Sequence, residues 1–183
     1  MVIAAGNELI NPNQLLAEVL KIGAGSRVAD FGCGATAINS LTASKLVGER
    51  GQVYAIDILK NVLSSVSSHA AHEGLVNLKT IWADLETPGS TKLPAESLDF
   101  ILLVNILFQV KEPLTVLAEA WRLLRFGGQA LVVDWQARDE GIGPASSRRL
   151  DEQTVRNLLI EAKFQVGDTI NAGPHHYALV AVK

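Results

Sequence analysis

The sequence predicts a doubly wound α/β sheet with helices on both faces, and three features lead to that class. Short apolar runs alternate with longer amphipathic stretches five times between Arg27 and Asp134, as in βα units laid along a mostly parallel sheet. The run Leu98–Val104 is almost wholly apolar, as a central parallel strand buried on both faces must be. Near the end of the chain, two apolar runs, Phe164–Ile170 and Tyr177–Val182, are joined only by Asn171 to His176. A parallel pair needs a crossover of a dozen residues or more, so these two are antiparallel neighbours.

The elements follow in order. Asn11 reads as an N-cap, with Pro12 at the first helical position, Gln14 three residues past the cap, and Ile10 and Leu15 spaced for a hydrophobic staple. A helix is expected from Pro12 to about Ile22, stopped by Gly23 and Gly25. Strand one, Arg27–Phe31, runs into Gly32-Cys33-Gly34 and then a helix ending near Val47. Gly48 and Gly51 bracket the break before strand two, Gln52–Ile56, which is tipped by Asp57. A helix over about Lys60–Glu73 carries Leu59, Leu63, Val66 and Ala70 as its apolar stripe, with Gly74 just past its end. Strand three, Leu78–Trp82, ends at Asp84, and Thr87–Pro94 is a loop of turn formers. After strand four, Leu98–Val104, Pro113 opens a helix with Leu114, Leu117, Trp121 and Leu124 on one face. Gly127-Gly128 are expected to end that helix, and strand five to cover Gln129–Asp134. Gln136–Arg149 is polar and glycine-rich and reads as a mobile loop. Asp151 caps a last helix stapled by Leu150 and Val155, with Val155, Leu158, Leu159 and Ala162 as its buried face. Neither an internal repeat nor a linker interrupts the pattern, so residues 1–183 are expected to form one domain, with 1–25 as a short N-terminal helix and cap.

Composition bounds the partners. Hydrophobic residues at 48% and a mean hydropathy of +0.22 mark a globular chain rather than a disordered one. A net charge of −3 and a pI near 5.8 give no strong nucleic-acid signal. The single cysteine, Cys33, excludes an internal disulfide framework. Met1–Glu8 lacks the pattern of a signal peptide, and the longest apolar run, Leu98–Val110, is broken by Asp99 and Asn105 and is too short to span a bilayer. A cytoplasmic location is expected.

Val28-Ala29-Asp30-Phe31-Gly32-Cys33-Gly34-Ala35-Thr36-Ala37 carries the chemistry. Gly32 can take backbone angles that a Cβ forbids. Gly34 lets a ligand approach the backbone, beside a helix N-terminus whose free N–H groups suit an anionic group. Asp30 is a fixed carboxylate facing the crevice beyond the strand ends, where ligands of open α/β sheets bind. The spacing also fits a dinucleotide fingerprint with Ala37 in the third position, or a glycine turn without a ligand.

Taken together, the motifs resemble the class I S-adenosylmethionine-dependent methyltransferase family, and within it the small ubiquinone/menaquinone-type group. Val28–Gly34 resembles the first motif, Val53–Asp57 the second and Ala83-Asp84-Leu85 the third. Leu98–Ile101 with the Asn105 region resembles the fourth, and Glu119–Gly128 is similar to the segment before strand five. The resemblance covers nearly the whole chain. It implies a Rossmann-like, three-layer fold with strand order 3-2-1-4-5-7-6 and the last strand antiparallel. It implies S-adenosyl-L-methionine as cofactor, S-adenosyl-L-homocysteine as product and a small or medium acceptor. Gly32, Cys33 and Gly34 would carry the methionine part, Asp30 its amino group, and Asp57, with Ile58 beside it, the ribose hydroxyls. Asp84 and Leu85 would hold the adenine, and Asn105 would lie near the transferable methyl. One departure is Thr36, where the family usually has a glycine; its Cβ and hydroxyl would crowd the methionine end, shifting the turn, weakening binding or abolishing activity.

Other candidates compete with plainer readings. His175 and His176 follow a strand whose far end lies on the cofactor rim, so either is a candidate base for an oxygen or nitrogen acceptor, against a role as turn residues. Arg148-Arg149 would attract an anionic substrate or simply face solvent. His69 and His72 face solvent on a helix rather than starting a metal site, Asp99 is structural, and Cys33 is a filler without a base partner. Two alternatives to methyl transfer are a non-catalytic or partner-dependent S-adenosylmethionine-binding protein, favoured by Thr36, and an NAD(P)-dependent oxidoreductase. Asp30 directly before the glycines, the closing hairpin and the lack of a Tyr-x-x-x-Lys pattern count against the oxidoreductase.

Overall fold

The computed structural model describes residues 11–138 and 141–183. Seven strands form one sheet in the order β3-β2-β1-β4-β5-β7-β6, the order expected. β1 (Arg27–Phe31), β2 (Gln52–Asp57), β3 (Leu78–Trp82), β4 (Leu98–Val104) and β5 (Leu124–Trp135) run parallel. β7 (His176–Val182) is antiparallel to β5, and β6 (Gln165–Asn171) is antiparallel to β7, so β6 points the same way as the first five.

Among the described residues, four α-helices cover the sheet: α1 (Ile38–Val47), α2 (Lys60–His72), α3 (Pro113–Leu123) and α4 (Glu152–Glu161). Alternation along the strands sends Leu103 and Val132 to one face, against Leu117 of α3 and Leu159 of α4. Val28, Leu102 and Leu131 go to the other, with Ala43 and Val47 of α1. Val66 of α2 packs with Ala55 on that same side. Asp151 caps α4 as expected, its Oδ1 accepting the Thr154 N–H at 2.7 Å.

Two elements differ from expectation. Asn11 does cap the first helix, its Oδ1 accepting the Gln14 N–H at 3.2 Å, but Gln14–Val19 is π-helical and ends before Ile22. Leu20 N–H donates to Leu15 O at 3.0 Å, a five-residue step. Leu15, Leu16 and Leu20 are all buried. An α-helix would rotate Leu20 about 140° away from Leu15, so the wider turn keeps both on the core side. Ile10, the other half of the expected staple, lies outside the described residues.

The second difference is at the α3–β5 junction. Gly127-Gly128 do not end the helix: α3 stops at Leu123, and β5 begins at Leu124, which is buried and pairs with Leu98. The register then shifts before Phe100 meets Gln129. Gly127 takes φ +75° in this bulge, and a Cβ on Gly128 would sit 2.9 Å from Arg125 O and 3.1 Å from Asp99 O. The glycines serve a strand irregularity that the close carbonyls require.

The Thr87–Pro94 loop is fastened to α3 by one buried carboxylate. Glu119 accepts from Thr91 Oγ1 at 2.6 Å and from Arg122 Nε and Nη2 at 2.8 Å each. Burial alone would raise its pKa, but the Arg122 and Thr91 hydrogen bonds outweigh that and hold it below the usual carboxylate range. Arg122→Ala strands this carboxylate; with the guanidinium partly exposed, the expected loss is about 2 kcal/mol at neutral pH. Because the folded pKa is lowered, the contribution is present above the ordinary range and lost as pH falls through the lowered value. Urea unfolding should therefore show a large parent–variant gap at pH 7 that closes in acid, and a pH-independent gap would contradict this role.

Candidate functional site

A cleft of about 320 Å³ opens at the C-terminal edge of the parallel strands, lined by Gly32, Gly34, Asp57, Asp84, Leu85 and Ile106 among others. Its floor is the turn after β1. Gly32 N–H and Cys33 N–H both donate to Ile56 O, at 2.8 and 3.1 Å, which stitches the turn to β2. Gly32 and Gly34 both have positive φ, +69° and +66°, which explains glycine at each. They differ in what covers them. A Cβ on Gly32 would meet Ile106 Cδ1 at 2.6 Å, whereas one on Gly34 would meet nothing within 4 Å. The open part of the floor is therefore Gly34.

Asp57 forms the wall. Its Oδ2 accepts the Gly34 N–H at 3.3 Å and its Oδ1 the Leu59 N–H at 2.9 Å. A carboxylate has roughly four acceptor positions, so both oxygens keep capacity for a ligand. Farther along, Asp84 Oδ1 accepts the Glu86 N–H at 2.9 Å and Oδ2 the Thr87 hydroxyl at 3.3 Å. Glu86 in turn accepts from the Lys111 and Glu112 N–H groups at 2.8 Å each, tying this rim to the segment after β4. Ile58 is exposed in the cleft wall, and its carbonyl accepts from Trp82 Nε1 at 2.8 Å.

Several residues singled out from sequence lie elsewhere. Asp30 is buried beneath the turn and accepts from Ser40 Oγ at 2.6 Å. Burial raises its pKa to about 6, with a smaller push from the Asp57 charge and opposition from Ser40. Cys33 is buried too, and burial, then Asp30 and Asp57, push its thiol up, so it is an inert filler. Thr36 is exposed and does not line the cleft; the non-glycine residue with left-handed backbone in this turn is Ala37, φ +51°. The cleft is thus not crowded by Thr36.

The two histidines do not reach the cleft. His176 is fully buried and packs on Trp135 with ring centroids 4.1 Å apart. Burial, then the His175 and Arg149 charges, lower its pKa to about 4. It borders a separate hollow with Gln136, Asp151 and Tyr177. Arg149 is no anion receptor: its guanidinium donates to the carbonyls of Gln136, Arg138, Ile142 and Pro144 and lies 5.5 Å from the Trp135 ring. Those four carbonyls of the stretch after β5 gather around that one side chain.

Asn105 follows β4 with φ +56°, and its N–H donates to Val133 O at 2.8 Å. Beside it stands Asp134, marked in the sequence only as a strand end. Asp134 is fully buried, and its Oδ1 accepts the Trp135 N–H at 2.8 Å. Burial raises its pKa to about 7 against the lowering effect of the Trp135 and Phe108 N–H groups. The signal that could have found it is an acid closing an apolar strand, as Asp57 closes β2.

A family model described as a methyltransferase domain matches residues 29–132, more than half of the chain. The chain belongs to the class I S-adenosylmethionine-dependent methyltransferase family. It is 31% identical over 125 residues to aklanonic acid methyltransferase DauC of a Streptomyces species, covering 68% of this chain and 55% of that protein. It is 31% identical over 146 residues to the ubiquinone/menaquinone biosynthesis C-methyltransferase UbiE of a Marinomonas species, covering 79% and 55%. The chain thus spans about half the length of the curated relatives it matches. A solved SAM-dependent methyltransferase from Aquifex aeolicus superposes with a TM-score of 0.87 at 28% identity, covering 95% of this chain and 90% of that one. Among the described residues, no helix is long and apolar enough to cross a membrane, and no three metal-ligating side chains cluster.

The buried Asp134 gives a pH test. Its pKa is about 7 folded against an ordinary 3.8, so the folded chain holds this proton more tightly. The stabilisation is complete below the ordinary value and lost as pH rises through the folded one, a loss of roughly 4 kcal/mol. Asp134→Asn removes it, so the variant should gain on the parent in urea unfolding as pH rises from acid to neutral. Parallel stability curves would contradict the assignment.

Proposed function

We propose that this chain transfers the methyl group of S-adenosylmethionine to a small-molecule acceptor. The observation that carries the reading is the Asp57 carboxylate beside the open floor at Gly34: a paired acceptor for vicinal hydroxyls next to backbone that a ligand can touch. The cradle fits the cofactor, since space that a Cβ would fill stands empty above Gly34 and Asp57 keeps free acceptor capacity. Asp57 takes the ribose hydroxyls with Ile58 alongside, Asp84 and Leu85 flank the adenine, and Gly34 carries the methionine chain. Asp30, under the floor, supports the turn and offers its negative charge toward the amino group. When bound, the cofactor supplies a methyl carbon activated by a sulfonium. The chain's own task is to align the acceptor with that carbon and to exclude water. The relatives' names, which refer to aklanonic acid and to quinones, support a small acceptor.

Isothermal calorimetry tests this. The parent should bind S-adenosylmethionine and not NAD. Asp57→Ala should weaken binding about 100-fold, from the loss of two hydrogen bonds to a charged acceptor, with the far-UV circular dichroism unchanged. Binding of NAD instead, or unchanged affinity in the variant, would overturn the reading; binding without transfer to any acceptor would favour a non-catalytic role.

A further inference from the structure

Helix α3 begins without a side-chain cap of its own. The first N–H groups of a helix have no partner inside it, and the N-cap residue Glu112 supplies no side-chain hydrogen bond. The acceptor comes from another element. Glu86, two residues past Asp84, accepts the Lys111 and Glu112 N–H groups at 2.8 Å each, and both bonds end on its Oε1. A carboxylate at this end also suits the helix dipole.

The two parts joined this way are opposite rims of the cleft. Asp84, Leu85 and Glu86 line it on the β3 side, and Ile106, Gln109 and Val110 line it after β4. Lys111 follows Val110 directly. Between β3 and β4 stand β2 and β1, with Asp57 and the glycine turn at their tips. Ladder hydrogen bonds fix the spacing of neighbouring strands, but β3 and β4 share none, so the Glu86 bonds tie rims that the sheet leaves apart. Their far end is firm, because Val116, Leu117, Ala120 and Leu123 of α3 are wholly buried. A small spread of these rims matters. The cleft measures about 320 Å³, near the lower end of the range of about 300–1,000 Å³ usual for small-molecule sites.

We propose that Glu86 is a positioning residue for the cofactor, a clasp that holds the Ile106–Val110 rim against the β3 rim so that the cleft grips the adenosyl group. The proposal rests on the methyl-transfer reading above, which gives this cleft to S-adenosylmethionine. Glu86 acts here through the backbone at the start of α3, not through its charge on the ligand. One oxygen takes both bonds, so an amide oxygen at the same place serves nearly as well. Reach decides the contact, so an acid one methylene shorter does not serve. A carboxylate that worked by attracting the sulfonium or the amino group would show the reverse order.

The test titrates the parent, Glu86→Gln, Glu86→Asp and Glu86→Ala with S-adenosylhomocysteine by calorimetry, and follows hydrogen exchange at the Lys111 and Glu112 amides. Each sample must match the parent in far-UV circular dichroism, so that affinity reports the cleft and not the folded fraction. The glutamine variant should bind within about three-fold of the parent, and the aspartate and alanine variants about ten-fold more weakly, the worth of one net hydrogen bond. In those two the Lys111 and Glu112 amides should exchange faster than in the parent. Where the alanine variant does not fold, the contrast between glutamine and aspartate decides. An alanine variant within about two-fold of the parent, a glutamine variant about ten-fold weaker, or an aspartate variant that binds like the parent overturns the clasp and leaves the methyl-transfer reading standing. A parent that fails to take S-adenosylhomocysteine overturns both.

Discussion

The middle of this sheet is packed almost wholly with apolar side chains. Ala29 and Phe31 of β1, Ile101, Leu102 and Leu103 of β4, and Leu131, Val132 and Val133 of β5 are all wholly buried, with helices over both faces. A carboxylate in such a strand would lose its hydration with nothing in return. In β1, β4 and β5 carboxylates stand only at or next to strand ends, where a free backbone N–H or a neighbouring side chain can partner them, as Ser40 partners Asp30. Because β1 to β5 are parallel, their C-terminal ends share one edge. Asp57, Asn105 and Asp134 are gathered there by the same burial that fills the strands with valine and leucine.

Burial also sets what each acid is suited to do. Asp57 has two backbone N–H partners and a face on the cleft, where its oxygens keep room for further hydrogen bonds. Asp30 and Asp134 lie deeper, and desolvation lifts both toward neutrality. Ser40 steadies Asp30, so that carboxyl is part of the floor. Asp134 has no such side-chain partner on its second oxygen. Three aspartates at or near the ends of β2, β1 and β5 are thus set apart by depth and by the donors around them. The turn itself carries strain: Ala37 holds a left-handed backbone that costs an L-residue about 1–2 kcal/mol. Its complete burial and the Leu41 N–H bond to its carbonyl at 2.8 Å hold it there.

Most of the sheet was legible because strand burial and strand sequence are one fact seen twice. An apolar run bounded by glycine or aspartate can hardly be anything else at this spacing, and α1 and β1 to β4 fall within a residue or so of their expected ends. The α3–β5 junction was not legible. Glycine pairs commonly close helices, and only the approach of the Asp99 and Arg125 carbonyls to Gly128 shows that these serve a bulge. The π-helical turn was hidden for a similar reason: Leu15 and Leu20 are both buried, but the core they share is built from distant strands. In the site, Asp57 could be placed from its position after an apolar strand, as could the open glycine. Asp134 was passed over because what distinguishes it is complete burial, and the elements that bury it are distant in sequence. Arg149 looked like a surface cation because the carbonyls that occupy it belong to a folded segment without periodicity.

In the function proposed above, the cleft that runs from Asp84 to Gly34 holds the cofactor, with its ribose anchor at Asp57. A crystal structure of the chain with S-adenosylhomocysteine tests it most directly. The account predicts both ribose hydroxyls on Asp57, the adenine against Leu85, and the homocysteine chain over Gly34. A ligand lying elsewhere, or one whose ribose hydroxyls do not reach Asp57, would contradict it.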